Sequence, residues 1–239
     1  KKDPLPDYIK YLGDNTYKYV DHLITVSNHL GNSIKNKFGV DYSVVHNLID
    51  VSLLKPALFK TNNAKFTIVA VGSLLHIKGF DILIEAFAKS SLLKSNAILK
   101  IIGDGPERER LKRLIKDNYL DDNIILTGQL NKSQVYEELR KADLYVLSSR
   151  SENFSVALIE ATANGVPAIG TLCGGVQEYS VSNVDKIPVE DIDSMFTALE
   201  KAYKHCNDVD RISLQTETIS LFSPHAIVSQ LENIYKQIL

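Results

Sequence analysis

The chain is poor in cysteine, has no long apolar run and carries no basic excess. Its two cysteines, Cys173 and Cys206, show no metal-ligand spacing. That excludes a disulfide framework, fits a reducing compartment and gives no reason to expect a metal. No apolar run approaches the ~20 residues that span a bilayer. The opening KKDPLPDYIK is too polar for a signal peptide and lacks an initiator Met, so the chain is expected to begin partway into a longer protein. A net charge of −2 argues against a general nucleic-acid binder. What is present suits a soluble globular protein: 239 residues, 44% hydrophobic and 23% charged, can bury a sizeable core without staples.

β-type runs alternate with helical ones. HLITV (residues 22–26) is followed by a helix from about Ser27. FTIVAVG (66–72), AILKIIG (97–103), NIILTG (123–128), DLYVLSS (143–149) and VPAIGT (166–171) are nearly continuous apolar runs, the pattern of parallel strands covered on both faces. FDILIEAFAKS places Ile82, Leu83, Ala86 and Phe87 on one helical face, and PERERLKRLIKD opens with Pro106, a favoured first helical residue. The alternation predicts a doubly wound, Rossmann-like α/β fold with a six- or seven-stranded parallel sheet over residues 66–222. Residues 53–65, without a clear period, read as a linker after a 1–52 segment too short for a domain of its own; 223–239 reads as a closing helix.

In an open parallel sheet ligands bind beyond the carboxyl ends of the strands, where helix N-termini point into the crevice. Three strand ends carry unusual residues. In VGSLLHIKGFD a strand ends near Gly72, and Lys78 precedes a helix starting near Gly79. A cation there opposes the helix dipole unless an anion sits beside it, so Lys78 reads as a phosphate contact; a solvent-facing loop lysine is the plainer alternative. GDGPERE carries Gly103 and Gly105 but lacks the third glycine of a dinucleotide fingerprint, so a tight turn is favoured and a nicotinamide-dependent dehydrogenase disfavoured.

The third strand end, SRSENFSVALIEATANGVPAIG, holds Glu152 and Glu160 eight residues apart. Ser155 suits the N-cap of a helix over 156–164, which places Asn153, Phe154 and Ser155 at its mouth. Carboxylates only accept hydrogen bonds, so two of them flanking an anion-binding helix mouth suit a ligand built as sugar, phosphates and second sugar. Solvated acids remain the alternative for each. Gly174 and Gly175 follow the next strand, as an anion-binding loop or an ordinary turn. Cys173 reads as a packed or exposed thiol rather than a nucleophile.

Taken together, these segments resemble the retaining glycosyltransferases of family 4, the glycosyl transferases group 1 of GT-B fold. SENFSVALIEATANGVPAIGT resembles their E-x7-E signature, and VGSLLHIKGFDILIEAF their phosphate-binding segment. IIGDGPERERL, NIILTGQL and ADLYVLSS match further segments in order, while HLITVSNHL and VVHNLID resemble the end of the first domain and the link to the second. The resemblance makes residues 1–52 a remnant of an acceptor domain and the rest the donor-binding half. It implies a hexosyltransferase of polysaccharide or glycoconjugate synthesis, with no cofactor and a UDP- or GDP-sugar as donor. The acceptor would be a saccharide or lipid-linked saccharide, and the location cytoplasmic, including the inner membrane face reached through the missing domain.

The resemblance also implies roles. Lys78 contacts the donor diphosphate, Glu152 the sugar hydroxyls and Glu160 the ribose, while the backbone at Asn153, Phe154 and Ser155 holds sugar and phosphate. Lys78 and Glu152 are thereby the catalytic candidates. Gly72, Ser73, Gly128, Gly174 and Gly175 line the donor crevice. Two departures stand out: Ser73 replaces the family's usual Arg, and Leu48 replaces the usual Gly of an Asn-Gly pair. An inactive nucleotide-sugar-binding module is the second reading, which the Ser73 departure favours.

Overall fold

The computed structural model describes residues 16–57 and 65–238. The opening KKDPLPDYIK and most of the proposed linker lie outside the described residues. A short parallel pair comes first: β1 (Leu23–Thr25), α1 (Asn28–Phe38) and β2 (Tyr42–Val44). Ser27 caps α1 by accepting from the Leu30 amide, and Gly39, left-handed, ends it.

The main sheet has six strands: β3 (Phe66–Val71), β4 (Ala97–Ile102), β5 (Ile124–Gly128), β6 (Leu144–Leu147), β7 (Ala168–Thr171) and β8 (Val184–Ile187). All pairings are parallel, in the spatial order β5-β4-β3-β6-β7-β8. The chain walks outward from β3 to β5, then returns to lay β6 beside β3 and walks the other way. The order reverses between β3 and β6, which is where a crevice opens in such sheets.

Alternate residues of each strand feed two cores, as the period of a strand requires. Ile68, Ala70, Leu144, Val146 and Ile169 face one core with α2 (Phe80–Lys89), α4 (Arg108–Asp117) and α7 (Ile192–His205). Val69, Tyr145, Leu147 and Ala168 face the other, with α5 (Lys132–Lys141), α6 (Val156–Ala163) and α8 (Arg211–Phe222). The short α3 (Ser91–Asn96) leads into β4, and α9 (Pro224–Ile238) closes the chain.

Three details differ from the sequence reading. The helix expected to open at Pro106 begins at Arg108: Pro106 and Glu107 form a turn tied back by Glu107 N–H to the Leu74 carbonyl (3.0 Å). On α2 the buried face extends past the four expected residues to Phe80, Asp81 and Ile84, because the helix is covered by both α4 and α7. Strand β8 had no apolar run to reveal it, since Asp185 and Lys186 occupy its middle and it lies at the sheet edge.

Loops at the carboxyl edge touch backbone to backbone. Gly174 (φ +52°) stands where a Cβ would lie 1.6 Å from the Glu152 carbonyl oxygen. Gly39 has a similar φ of +72° but open space around it. Gly39→Ala should therefore cost only about 1 kcal/mol, the penalty of a left-handed alanine. Gly174→Ala adds a backbone collision and should cost about 3 kcal/mol or more. Urea denaturation of the two variants checks the difference.

Candidate functional site

The site is assembled from the ends of β3, β6 and β7. After β3 the chain passes half-buried Gly72 and exposed Ser73, then makes a tight turn, His76–Lys78, that ends in left-handed Gly79. A Cβ on Gly79 would sit 2.1 Å from the Ser148 carbonyl oxygen, so only glycine lets this turn press against the end of β6. The Ser148 hydroxyl then donates to the Lys78 carbonyl (2.9 Å). The stem of Lys78 lies across Gly72.

Lys78 Nζ meets Glu152 Oε1 at 2.5 Å, and the Ser149 hydroxyl donates to the same oxygen at 2.8 Å. The Lys78 and Glu152 side chains retain only 25% and 12% exposure, which excludes a solvent-facing loop lysine and a solvated loop acid. The anion that offsets Lys78 at the start of α2 is thus Glu152 itself.

Ser155 caps α6 as expected, accepting from the Leu158 amide at 3.3 Å. Asn153 is exposed at the helix mouth, while Phe154 turns inward and stacks on His46, their ring centroids 4.3 Å apart. Gly174 and Gly175 back directly onto the Glu152 and Asn153 carbonyls. Their missing side chains admit a close approach that fixes the Glu152 loop.

Glu160 lies on α6 with 13% side-chain exposure, so it is not a surface helix acid. It accepts from the Tyr136 hydroxyl (3.4 Å), and Lys132 Nζ stands 3.9 Å from it and 3.7 Å from Asp50. Burial raises the Glu160 pKa, with a further push from Asp50 and partial relief from Lys132 and Tyr136. Gly128 (φ +79°), two strands from the switch point, accepts from the Gly103 amide at 3.0 Å. Cys173 is buried, and burial pushes its thiol up, away from nucleophilic use. The Cys206 side chain lies outside the described residues. Among the described residues no group of three or more His, Cys, Asp or Glu forms a metal-binding cluster, and no helix is long and apolar enough to cross a membrane.

Three functional neighbours escape sequence reasoning. Arg150, inside the E-x7-E block, donates to the His76 carbonyl (2.6 Å), to both oxygens of Asp81 (2.9 and 3.1 Å) and to Glu190 (2.8 Å). Its own amide donates to the Ile77 carbonyl (2.7 Å). This clamps the Lys78 turn onto the Glu152 loop. Glu178 accepts from the amides of Asn28 and His29 (both 2.8 Å), capping α1 from 150 residues away. Tyr145, fully buried on β6, points toward α6. The partners of Arg150 and Glu178 are distant in sequence, so no local spacing announces them.

Residues 55–213 match the family described as Glycosyl transferases group 1. The chain belongs to that family. It is 27% identical over 196 residues to a phosphatidylinositol N-acetylglucosaminyltransferase subunit of Arabidopsis thaliana, covering 82% of this chain and 44% of that protein. It is 29% identical over 215 residues to the N-acetyl-alpha-D-glucosaminyl L-malate synthase of Bacillus anthracis, covering 83% and 54%. The chain thus spans about half the length of these relatives. Its fold matches that of Anabaena Alr3699/HepE, solved in complex with UDP, at a TM-score of 0.78 and 17% identity, over 93% of this chain and 65% of that one. The α/β fold of this member of the family is like that of solved GT-B glycosyltransferases.

The Arg150 clamp has a measurable signature. Burial raises the Asp81 carboxyl, but hydrogen bonds from Arg150 and Arg110 outweigh it and hold the pKa at about 2 instead of 3.8. A carboxyl whose pKa falls on folding stabilises the fold above its unfolded value and loses that contribution as pH drops toward the folded one. Asp81→Asn should therefore cost about 2 kcal/mol at neutral pH. The gap to the unsubstituted protein should close as pH falls from about 4 toward 2, in chemical denaturation curves collected across pH.

Proposed function

We propose that this chain is the donor-binding half of a retaining glycosyltransferase of family 4, moving a hexose unit from a nucleoside diphosphate to an acceptor hydroxyl. The observation that carries the reading is the Lys78–Glu152 contact at the β3/β6 switch point, with largely shielded Glu160 just over one turn into α6. UDP as carrier and N-acetylglucosamine as sugar are favoured by the two N-acetylglucosamine-transferring relatives and the UDP-bound structural neighbour.

Bringing the donor in exchanges partners. Its diphosphate takes Lys78 from Glu152, beside the open mouth of α6, where the helix dipole favours negative charge. Glu152, released, accepts hydrogen bonds from the sugar hydroxyls, and Glu160 accepts from the ribose. The bond from the anomeric carbon to the diphosphate then breaks, both electrons leaving with the diphosphate. Lys78 and the helix mouth stabilise that developing charge in a crevice with little water. The acceptor oxygen bonds to the anomeric carbon from the same face, its hydroxyl proton passing to the departing diphosphate oxygen, and configuration is preserved. Residues outside this chain would supply the acceptor site.

A binding module without turnover is the second reading. Ser73 is exposed where the family usually has an Arg, so the diphosphate finds one cation fewer on this loop.

Calorimetry on single variants tests these roles. Lys78→Ala should weaken UDP binding by about 1.5–3 kcal/mol and leave uridine unchanged. Glu160→Gln should weaken UDP and UDP-N-acetylglucosamine alike. Because an ionised Glu160 is the stronger acceptor and can take both ribose hydroxyls, and its pKa is raised, nucleotide affinity should already decline at a pH above the usual Glu value of 4.5. Glu152→Gln should penalise only the sugar-bearing donor, with bare UDP binding equal or tighter because Lys78 starts unpaired. Equal losses of UDP in the Glu152 and Glu160 variants would contradict the division of labour.

A further inference from the structure

The Tyr145 hydroxyl has no hydrogen-bond partner, although the residue is fully buried. A buried hydroxyl left unmatched is costly, and phenylalanine would fill the same space without that cost. Such a group, fully buried on a central strand, asks for a reason.

Its location supplies one. Tyr145 pairs with Val69 across the β3/β6 junction, the point where the strand order reverses. From there the side chain rises on the α6 face of the sheet. Its hydroxyl comes near the Ser155 side chain at the cap of α6 and the Val71 backbone at the end of β3, without reaching hydrogen-bond geometry to either. The charges it feels most are Glu152 and Glu160. Tyr145 thus sits at the β3/β6 switch point on the α6 side of the sheet, within electrostatic reach of both acids assigned to the two ends of the donor. Burial first, and then these two acids, raise its pKa, so it remains a neutral O–H donor at any working pH.

We propose that Tyr145 is a diphosphate-binding residue whose hydroxyl donates to a phosphate oxygen of the nucleotide, directly or through one water. This rests on the donor-site reading. The stem of Lys78 crosses Gly72, next to Val71, and its ammonium holds Glu152. When the diphosphate draws Lys78 from Glu152 it comes to the mouth of α6, where Ser155, the neighbour of the Tyr145 hydroxyl, caps the helix, and an acceptor oxygen arrives there. Tyr145 thereby supplies one hydrogen bond to a diphosphate that has Ser73, rather than Arg, on the first loop. A preorganised O–H dipole at that point also favours the charge that develops on the leaving group.

The test is Tyr145→Phe, with thermal melting of the free protein and calorimetry using UDP and uridine. Removing an unmatched hydroxyl should raise the melting temperature by about 2–4 °C. The same change should weaken UDP by about 10-fold and leave uridine untouched. A variant that is stabilised yet binds UDP as tightly as the parent would overturn the proposal, since the hydroxyl would then serve nothing in the crevice. Parallel losses for UDP and uridine would also overturn it, by pointing to repacking. If the unsubstituted protein binds no nucleoside diphosphate, the donor-site reading itself fails; if it binds and only the variant result disagrees, Tyr145 alone is misassigned.

Discussion

Two loops at the carboxyl edge of the sheet approach so closely that no side chain fits between their backbones. A Cβ at Gly79 would meet the Ser148 carbonyl oxygen, and one at Gly174 would meet that of Glu152. These contacts hold the Lys78 turn against β6 and the Glu152 loop against the end of β7. They bring a lysine and a glutamate 74 residues apart to 2.5 Å. Everything proposed about the donor depends on that meeting. A cation at the start of a helix and a carboxylate at the end of a strand are each poorly placed alone, and together they make a site whose charges are exchangeable.

The surrounding charges are arranged to keep the loops rigid while leaving that pair free to trade partners. Arg150 directs its donors to Asp81, Glu190 and the His76 carbonyl, so the guanidinium is committed to structure. Asp81 in turn answers two arginines, which is why its pKa is so low despite burial. Glu178 does similar work on the other side by capping α1, where two amide donors and the Asn28 side chain converge on one carboxylate. Burial raises its pKa, and these hydrogen bonds lower it further than burial raises it. Lys78 and Glu152, by contrast, have between them one ion pair and the Ser149 hydroxyl. A diphosphate offers Lys78 more negative charge than a carboxylate does, so the proposed exchange would leave the scaffold intact.

Much of this was legible in the sequence because parallel strands buried on both faces write continuous apolar runs. The runs ending at Gly72, Gly103, Gly128 and Ser149 match β3 to β6, and Ser155 caps α6 as its position before an apolar helix suggested. Strand β8 was hidden because an edge strand with Asp185 and Lys186 has no such run. Pro106 misled because a proline that suits a first helical turn suits a preceding turn equally well, and the Glu107 amide found its partner at Leu74 instead. The candidate residues Lys78, Glu152 and Glu160 were visible as types and spacings. What could not be read was which partner each takes in space: Lys78 with Glu152, Glu160 with Tyr136, Arg150 with Asp81. Those pairings span 24 to 74 residues and depend on loop packing, to which periodicity is blind.

The central claim is that the Lys78–Glu152 pair is the resting form of a nucleotide-sugar site. A crystal structure with UDP-N-acetylglucosamine tests it most directly. The account predicts the diphosphate at the mouth of α6, Lys78 turned from Glu152 onto a phosphate oxygen, Glu152 on sugar hydroxyls and Glu160 on the ribose. A complex in which the nucleotide sugar is bound elsewhere, with the Lys78–Glu152 contact still intact at its present distance, would contradict it.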